Sequence, residues 1–342
     1  MAPSSKDRIY SVAKIAMIFD LLVVEGVAPD EALSRTAVSH DELRSPATKV
    51  SAQQVLRAFG NAIRLSRDPQ FALHAGLKFH VSTYGMYGFS ILSSPSFREA
   101  IAFSRAYHQL ATPLVQIGFV EQAGKAVWVV TAAQHIETDE ALYRFLVNLQ
   151  MATHLSLHRD IMGAAFAPER VEFSFSQPQA DSASAFFGCP VLYGQAENRL
   201  IFDAAWLDRR ADLGNSLTYA ELKLLCDGLL KELELRAGVA GKVREVLLAG
   251  PAGPLRFSVV ATQLNMSERN LRRQLQEEGT SFRALADELR AHLAIRYLRE
   301  TDLTIEDIAF SLGFSDASSF RHAFRRWTNA APLEYRLSKD ER

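Results

Sequence analysis

Residues 256–336 carry one pattern twice, and this repeat constrains the fold more tightly than any other feature of the 342-residue chain. The first copy opens with an apolar-periodic stretch from Phe257 to Leu264 and breaks at Asn265-Met266. It resumes at Ser267 with a stretch bearing Arg269, Arg272 and Arg273. The second runs from Ile305 to Leu312, breaks at Gly313 and resumes from Asp316 to Thr328, where Ser318, Arg321, His322 and Arg325 alternate with Phe320, Phe324 and Trp327. Apolar residues three or four apart define a buried helix face in each stretch. Because Cβ directions on a helix are fixed, the arginines are forced outward. A short helix, a tight turn and a second helix with a basic exposed face is the layout of a helix-turn-helix, whose second helix enters the DNA major groove.

The local chemistry supports two such motifs, at about 257–277 and 304–328. Ser267 suits an N-cap, and Thr304 with Asp307 three residues on suits a capping box. Leu271 and Leu275, one turn apart, face inward. Arginine can grip the guanine edge with two hydrogen bonds or simply neutralise a phosphate. Arg269 and Arg272 are expected on bases, Arg273 on base or phosphate, and Arg325 on phosphate; the alternative is a merely solvated arginine face. Between the motifs, residues 282–300 read as a helix about 28 Å long that holds them at a fixed separation.

Composition neither advertises nor excludes this reading. Hydrophobic residues make up 48% and charged residues 23%, ordinary for a globular chain, and the net charge is −1. From residue 240 onward 16 Lys and Arg face 14 Asp and Glu, against 22 and 25 before it, so DNA binding must rest on placement of charge rather than its total. Cys189 and Cys226 form no spaced pair with neighbouring His or Cys, which argues against a metal site or disulfide framework and fits a reducing cytoplasm. The apolar stretch from Val12 to Ala28 is interrupted by Lys14, Asp20 and Glu25, so no membrane span is expected. No cofactor is expected.

The first part of the chain reads as helices followed by a small sheet. Helices are expected over 8–27, over 51–66 (burying Val55, Leu56, Phe59 and Ile63), over 69–80 and from Ser96 to Leu110. After Pro113 the period becomes two: strands over 114–121 and 126–132 flank a hairpin turn. A helix over 139–162, a strand over 170–176, a short helix from Ser182 to Phe187 and strands over 191–193 and 199–202 follow. The fold class is therefore α+β in the first part and all-α in the second, with the boundary at Gly238-Val-Ala-Gly241, giving domains 1–238 and 239–342. A helix over 216–236, with Leu222, Cys226, Leu229 and Leu233 at heptad-like spacing, packs either on its own domain or against a second protomer. His80, Tyr84, Tyr87, Arg105, Tyr107 and His108 fall close together near a Gly-rich bend, where a ligand pocket with a few polar groups in an apolar wall is one reading. The other is that the tyrosines are core aromatics and His108 a satisfied helix histidine. No catalytic constellation is present: Ser93-Ser94 lacks a local partner, and no Gly-x-Ser-x-Gly, His-Glu-x-x-His or phosphate-binding Gly-rich loop occurs.

The segments Asp307-Ile-Ala, Gly313-Phe-Ser, Ser319-Phe, Ala323-Phe-Arg-Arg and Pro332 to Arg336 closely resemble the second half of AraC/XylS-type transcription regulators. Met266 to Arg273 and Gly279 to Phe282 resemble the first half of the same module. Leu77-Lys-Phe-His, Tyr84-Gly-Met-Tyr-Gly and Leu92 to Ala100 are similar to the arabinose-binding-type ligand domain of one branch of that family, which includes regulators of amino-acid catabolism. The resemblance implies a transcription regulator whose two motifs sit in successive major grooves on one face of the DNA. The reading it completes is a cytoplasmic, DNA-binding regulator and not an enzyme, an activator controlled by a small-molecule effector that works with RNA polymerase, with a homodimer as one option for the 216–236 helix. The alternative is a constitutive dimeric DNA binder whose first domain only dimerises. Carried over, Arg269, Arg272 and Arg273 match contact positions of the first recognition helix, and Ser318, Arg321 and His322 those of the second. Two departures stand out. The family usually has arginine where His322 stands, which puts base reading by that helix in doubt. Asn329 replaces a common glycine, and asparagine is the next-best residue for a left-handed turn.

Overall fold

Helix formation begins at Ala13 rather than at residue 8. Tyr10 and Ser11 (β1, Tyr10–Ser11) pair antiparallel with Val50 and Lys49 (β2, Lys49–Val50), so the residues before Val12 are claimed by a two-residue ladder. The structure, a computed structural model, describes residues 5–133, 138–178, 183–249 and 256–337. It divides into two compact units, residues 5–233 and the chain from Glu234 onward.

In the first unit, α1 (Ala13–Val24) buries Ile15, Ile18, Phe19 and Leu22. Two single-turn helices, α2 (Pro29–Ala32) and α3 (His40–Leu43), lead to α4 (Ala52–Leu65). Ser51 and Gln54 close a reciprocal capping box on α4, Ser51 Oγ accepting from Gln54 N at 3.2 Å and Gln54 Oε1 from Ser51 N at 3.0 Å. Ile63, expected in the core, is exposed, because the buried face of α4 is filled by Val55, Ala58, Phe59 and Ala62. Then come α5 (Phe71–Lys78), α6 (Gly85–Leu92) and α7 (Phe97–Ala106). α7 ends four residues earlier than expected, and a single 3₁₀ turn over His108–Ala111 follows it.

The hairpin of β3 (Val115–Gln122) and β4 (Lys125–Ala132) turns at Ala123 and Gly124, both at positive φ, as a two-residue hairpin turn requires. The long helix α8 (Glu140–Met162) packs on α5 and on β4 and buries Phe145, Leu146, Leu149, Leu155, His154 and His158. β5 (Arg170–Glu172) is shorter than the alternating stretch 170–176, and Glu172, expected on a solvent face, is buried with Arg170 Nε 2.8 Å away. After α9 (Ala183–Phe187), the strands β6 (Val191–Leu192) and β7 (Asn198–Asp203) complete a sheet of order β3-β4-β7-β5-β6, antiparallel except for β5 with β6. Ser182, the expected start of α9, lies outside the described residues.

α10 (Ser216–Arg236) and α11 (Gly238–Ala249) are separated by Ala237 alone. The stretch Gly238–Gly241, where the domain boundary is expected, forms the first turn of α11, and its glycines serve close packing. Gly238 sits at φ +72°, with the Glu278 carboxylate 2.5 Å from where a Cβ would stand, and a Cβ on Gly241 would stand 2.0 Å from Arg236 O. The remaining helices are α12 (Phe257–Gln263), α13 (Glu268–Glu277), α14 (Phe282–Glu300), α15 (Ile305–Ser311), α16 (Ala317–Thr328) and α17 (Pro332–Leu337). They form two cores. Val243, Val260, Leu271, Leu275 and Leu285 make one, and Leu298, Ile308, Leu312, Phe320 and Phe324 the other. α14 supplies Leu285 to the first and Ala294 and Leu298 to the second, so one rigid helix is built into both motifs. Among the described residues no helix is long and apolar enough to cross a membrane.

Candidate functional site

Each helix-turn-helix is set by a left-handed residue and a cap. In the first, Asn265 turns at φ +53°, and Ser267 Oγ accepts from Asn270 N at 3.2 Å. With Leu271 and Leu275 buried, α13 presents Arg269, Arg272, Arg273 and Gln276 together on its exposed face. The three arginines are not equivalent. Arg273 is tied down, Nη1 2.5 Å from Glu277 Oε1 and Nη2 3.1 Å from Asn270 Oδ1. Arg272 lies with its guanidinium carbon 5.4 Å from the centre of the Phe257 ring. Arg269 has no ion-pair or hydrogen-bond partner among the described residues, so it can reach a ligand without giving up a contact.

In the second motif Gly313 turns at φ +80°, and Thr304 and Asp307 form the expected capping box. Asp316 caps α16, accepting from Ser319 N at 2.7 Å and from Ser319 Oγ at 2.8 Å. Those bonds, the backbone one first, hold its carboxyl below the usual range. Ser318, Arg321, His322 and Arg325 are exposed, and Asn329 closes the helix at φ +58°. Arg326, one residue past Arg325, is instead bonded to Asp287 of α14 at 3.1 Å, and the same carboxylate lies 3.5 Å from Arg290. The reading face of α16 is thus pinned to the helix shared by both motifs.

The first unit holds a cavity walled by α1, α6, α7, α8 and β4. Tyr84, Tyr87 and His108, grouped by sequence, do line it. His80 and Arg105 do not. His80 Nδ1 lies 2.9 Å from Asp160 Oδ1 on the half-exposed surface, and Arg105 points to solvent from α7. Sequence reasoning missed Lys14, Trp128, His154 and His158, which three other stretches of the chain bring to the same space. Tyr107 is buried behind Tyr87 and hydrogen-bonds Asp227 of α10.

The polar groups of this cavity are unusual in their balance. Lys14 Nζ donates to Thr112 O at 3.1 Å, and burial pushes its pKa down to about 8. Thr112 is itself buried at φ +56°, a position that costs a β-branched residue strain and that aims its carbonyl at the ammonium. His108 Nε2 lies 3.1 Å from Val115 O, and burial lowers its pKa to about 4. A carbonyl only accepts, so His108 carries its proton on Nε2. His158 has the opposite tautomer: Trp128 Nε1–H donates to its Nε2 at 3.1 Å, leaving the proton on Nδ1. That Nδ1, and Nδ1 of His154, are buried without a hydrogen-bond partner. Burial lowers the pKa of His154 to about 3 and of His158 well below the ordinary value. The cavity has a volume of about 30 Å³, where one water needs roughly 10–15 Å³.

Residues 26–211 match the family described as the N-terminal arabinose-binding domain of AraC transcription regulator, and residues 260–338 match a helix-turn-helix domain family. The chain belongs to the AraC family of transcription regulators. It is 30% identical over 326 residues to the ornithine utilization regulator of Pseudomonas aeruginosa, covering 95% of both chains. It is likewise 30% identical to an uncharacterised HTH-type transcriptional regulator of Mycobacterium tuberculosis, covering 91% of each. The crystal structure of the transcriptional regulator CdpR from Pseudomonas aeruginosa shares the fold, with a TM-score of 0.50 at 22% identity over 94% of this chain and 96% of that one. The protein is therefore a DNA-binding transcription regulator with a ligand-binding N-terminal domain, and its relatives are regulators rather than enzymes.

One contact ties the first recognition helix of the regulator to the entry of the DNA-binding module. Glu278, the residue after α13, accepts from Val239 N at 2.7 Å and from Ala240 N at 2.8 Å, neutralising the N-terminus of α11. Glu278→Ala is expected to destabilise the second unit by about 1–2 kcal/mol, the cost of orphaning two first-turn N–H groups. Urea unfolding followed by circular dichroism would check this, and a variant as stable as the parent would show the clamp to be idle.

Proposed function

We propose that the protein binds specific DNA through α13 and α16, and that a small molecule in the N-terminal cavity controls its occupancy of a promoter, with activation of transcription through RNA polymerase as the output. The observation that carries the proposal is the pair of capped recognition helices whose exposed faces hold Arg269, Arg272 and Gln276 on one and Ser318, Arg321, His322 and Arg325 on the other. Arg269 and Arg272 read bases; Arg273, held by Glu277, and Arg325 meet phosphate. Arg321 does more of the reading by α16 than His322, which has one fewer donor pattern for a guanine edge. The cavity side of the proposal is supported by a ring stack. Tyr87 on the wall contacts Phe103, which stacks on Tyr107 at 4.3 Å, and Tyr107 bonds Asp227 on α10, the helix that continues toward the DNA-binding module. A ligand that moves Tyr87 acts on α10 through those rings, and coupling of this kind is worth about 1–3 kcal/mol. The proposal includes a cytoplasmic location and a role in switching genes for the use of a small nutrient, a reading supported by the likeness to the ornithine utilization regulator.

A second reading, a constitutive dimer, draws on α10. Cys226 and Leu233 are buried on their own unit, while Leu217, Leu224 and Leu225 stand exposed along the same helix. In this second reading two copies join along α10 and the cavity is not used.

The DNA assignment is tested by two substitutions. Arg269→Ala is expected to weaken operator binding by about 1–3 kcal/mol and relax preference at one base position. Arg325→Ala should weaken binding to all sequences alike and lower the salt slope by about one phosphate. Competition binding over a salt series distinguishes them, and identical behaviour of the two variants would defeat the division into base and phosphate contacts.

A further inference from the structure

We infer that the N-terminal cavity takes the carboxylate of a small organic acid, with Lys14 as its counter-ion and the aromatic and aliphatic wall holding the acid's apolar body. The inference rests on the reading of this domain as the effector site and names the chemical class that fits it.

The polar groups decide the class. Lys14 carries three N–H donors and places one on Thr112 O. Among the described residues that line the cavity there is no Asp or Glu, so the cation has no counter-ion. With a pKa near 8 the ammonium is still charged at neutral pH. Lys14 is partly buried, its Nζ 5.9 Å from the centre of the Tyr84 ring, and a carboxylate would supply both the missing opposite charge and strong charge-assisted acceptors. The histidines point the same way. His158, 3% exposed, presents an Nδ1–H donor without an acceptor because the Trp128 indole fixes its tautomer, and His154, 5% exposed, has an unpartnered Nδ1 beside it. Buried polar atoms are rarely left unpaired, and those that are call for an explanation. Several donors, one cation and no acid describe a site for an acceptor of negative charge. A cationic ligand would be repelled by Lys14, and a neutral amide would leave the ammonium unpaired.

Most of the remaining wall is apolar, with Ile91, Phe97, Ile101, Ile117 and Leu157; the hydroxyls of Ser104 and Thr153 are spent on helix carbonyls, and Gln150 Nε2 lies 3.5 Å from His154 Nε2. The ligand is therefore an acid with a hydrophobic body rather than an inorganic anion. As it stands the space admits about two or three waters, so a body larger than that enters by displacing side chains. Tyr87, the first ring of the stack leading to α10, is in the wall that must yield.

Calorimetric titration of the full chain with matched head groups tests the inference. Two bodies suffice: butanoate, butanamide and butylamine, then phenylacetate, phenylacetamide and 2-phenylethylamine. At least one carboxylate should bind, its amide at least tenfold more weakly and its amine not at all. Lys14→Met should erase the preference for carboxylate over amide, and without ligand it should melt at or above the parent temperature, since a partly buried cation without a counter-ion has been removed. Lys14→Gln serves the same purpose if the methionine variant does not accumulate. An amide or amine that binds as tightly as the carboxylate, or carboxylate binding unchanged in both Lys14 variants, overturns the assignment while leaving the effector reading in place. Binding by no member of the panel overturns both and makes the cavity a hydrated part of the core.

Discussion

Acidification from pH 7 to pH 5 should destabilise the N-terminal unit by several kcal/mol. Three histidines, His108, His154 and His158, are kept neutral by burial, with pKa values of about 4 and about 3 for the first two and a direction well downward for the third. The unfolded chain protonates them near pH 6.5, so below that value it binds more protons than the native state. Stability then rises with pH, is fully present above about 6.5, and is lost as the pH falls toward 4. Each such group contributes a slope of at most about 1.4 kcal/mol per pH unit, so three give roughly 4 kcal/mol per unit, a large share of an ordinary domain's stability. The other ionisable groups facing the cluster do not change charge in this window. Lys14 titrates near 8, and Tyr84 and Tyr87 are both raised by burial. Urea unfolding at pH 7, 6 and 5 measures the slope, and His154→Gln should reduce it by about one proton. Equal slopes in the two proteins would mean that His154 is not held neutral. Carboxylates elsewhere contribute to both and cancel in the comparison.

The same cluster shows what a sequence conceals. The helix-turn-helix motifs were legible because each is written locally. Ser267 and Thr304 cap within three residues, Leu271 and Leu275 fix a face within one turn, and Asn329 takes the left-handed position that its neighbours require. The cavity is not local. Lys14 comes from α1, Trp128 from β4 and His154 with His158 from α8, so proximity along the chain grouped the wrong residues and put His80 and Arg105 beside Tyr84. His80 is drawn instead to Asp160 at the surface. A signal was present all the same. Lys14 interrupts an otherwise apolar run, and His154 and His158 stand four apart on a helix too apolar to have a solvent face there. Each was explicable singly as a break in a pattern, and only the fold makes them one site. The close packing of Gly238 and Gly241 was illegible for a related reason: the packed neighbours of both are distant in sequence or hidden in backbone geometry.

Gly241→Ala is therefore expected to be among the most damaging single-methyl changes in the regulator. The added Cβ would lie 2.0 Å from Arg236 O, 2.2 Å from its carbonyl carbon and 2.8 Å from its Cα. These are backbone atoms, so no rotamer change relieves the clash, and the end of α10 must separate from the start of α11. That movement also pulls Val239 and Ala240 off the Glu278 carboxylate, so two orphaned N–H groups add to the overpacking. A loss of about 3 kcal/mol or more is expected, together with weakened operator binding, because α13 ends at the clamp. The control is Gly228→Ala, in the middle of α10, where a Cβ would meet nothing within 4 Å. There the helix gains, by about 0.5–1 kcal/mol, because alanine has less backbone freedom to lose. The same substitution thirteen residues apart should thus change sign, which urea unfolding of both variants would reveal. If the two shift stability alike, the α10–α11 elbow is not the tight junction described, and the glycines are a flexible linker after all.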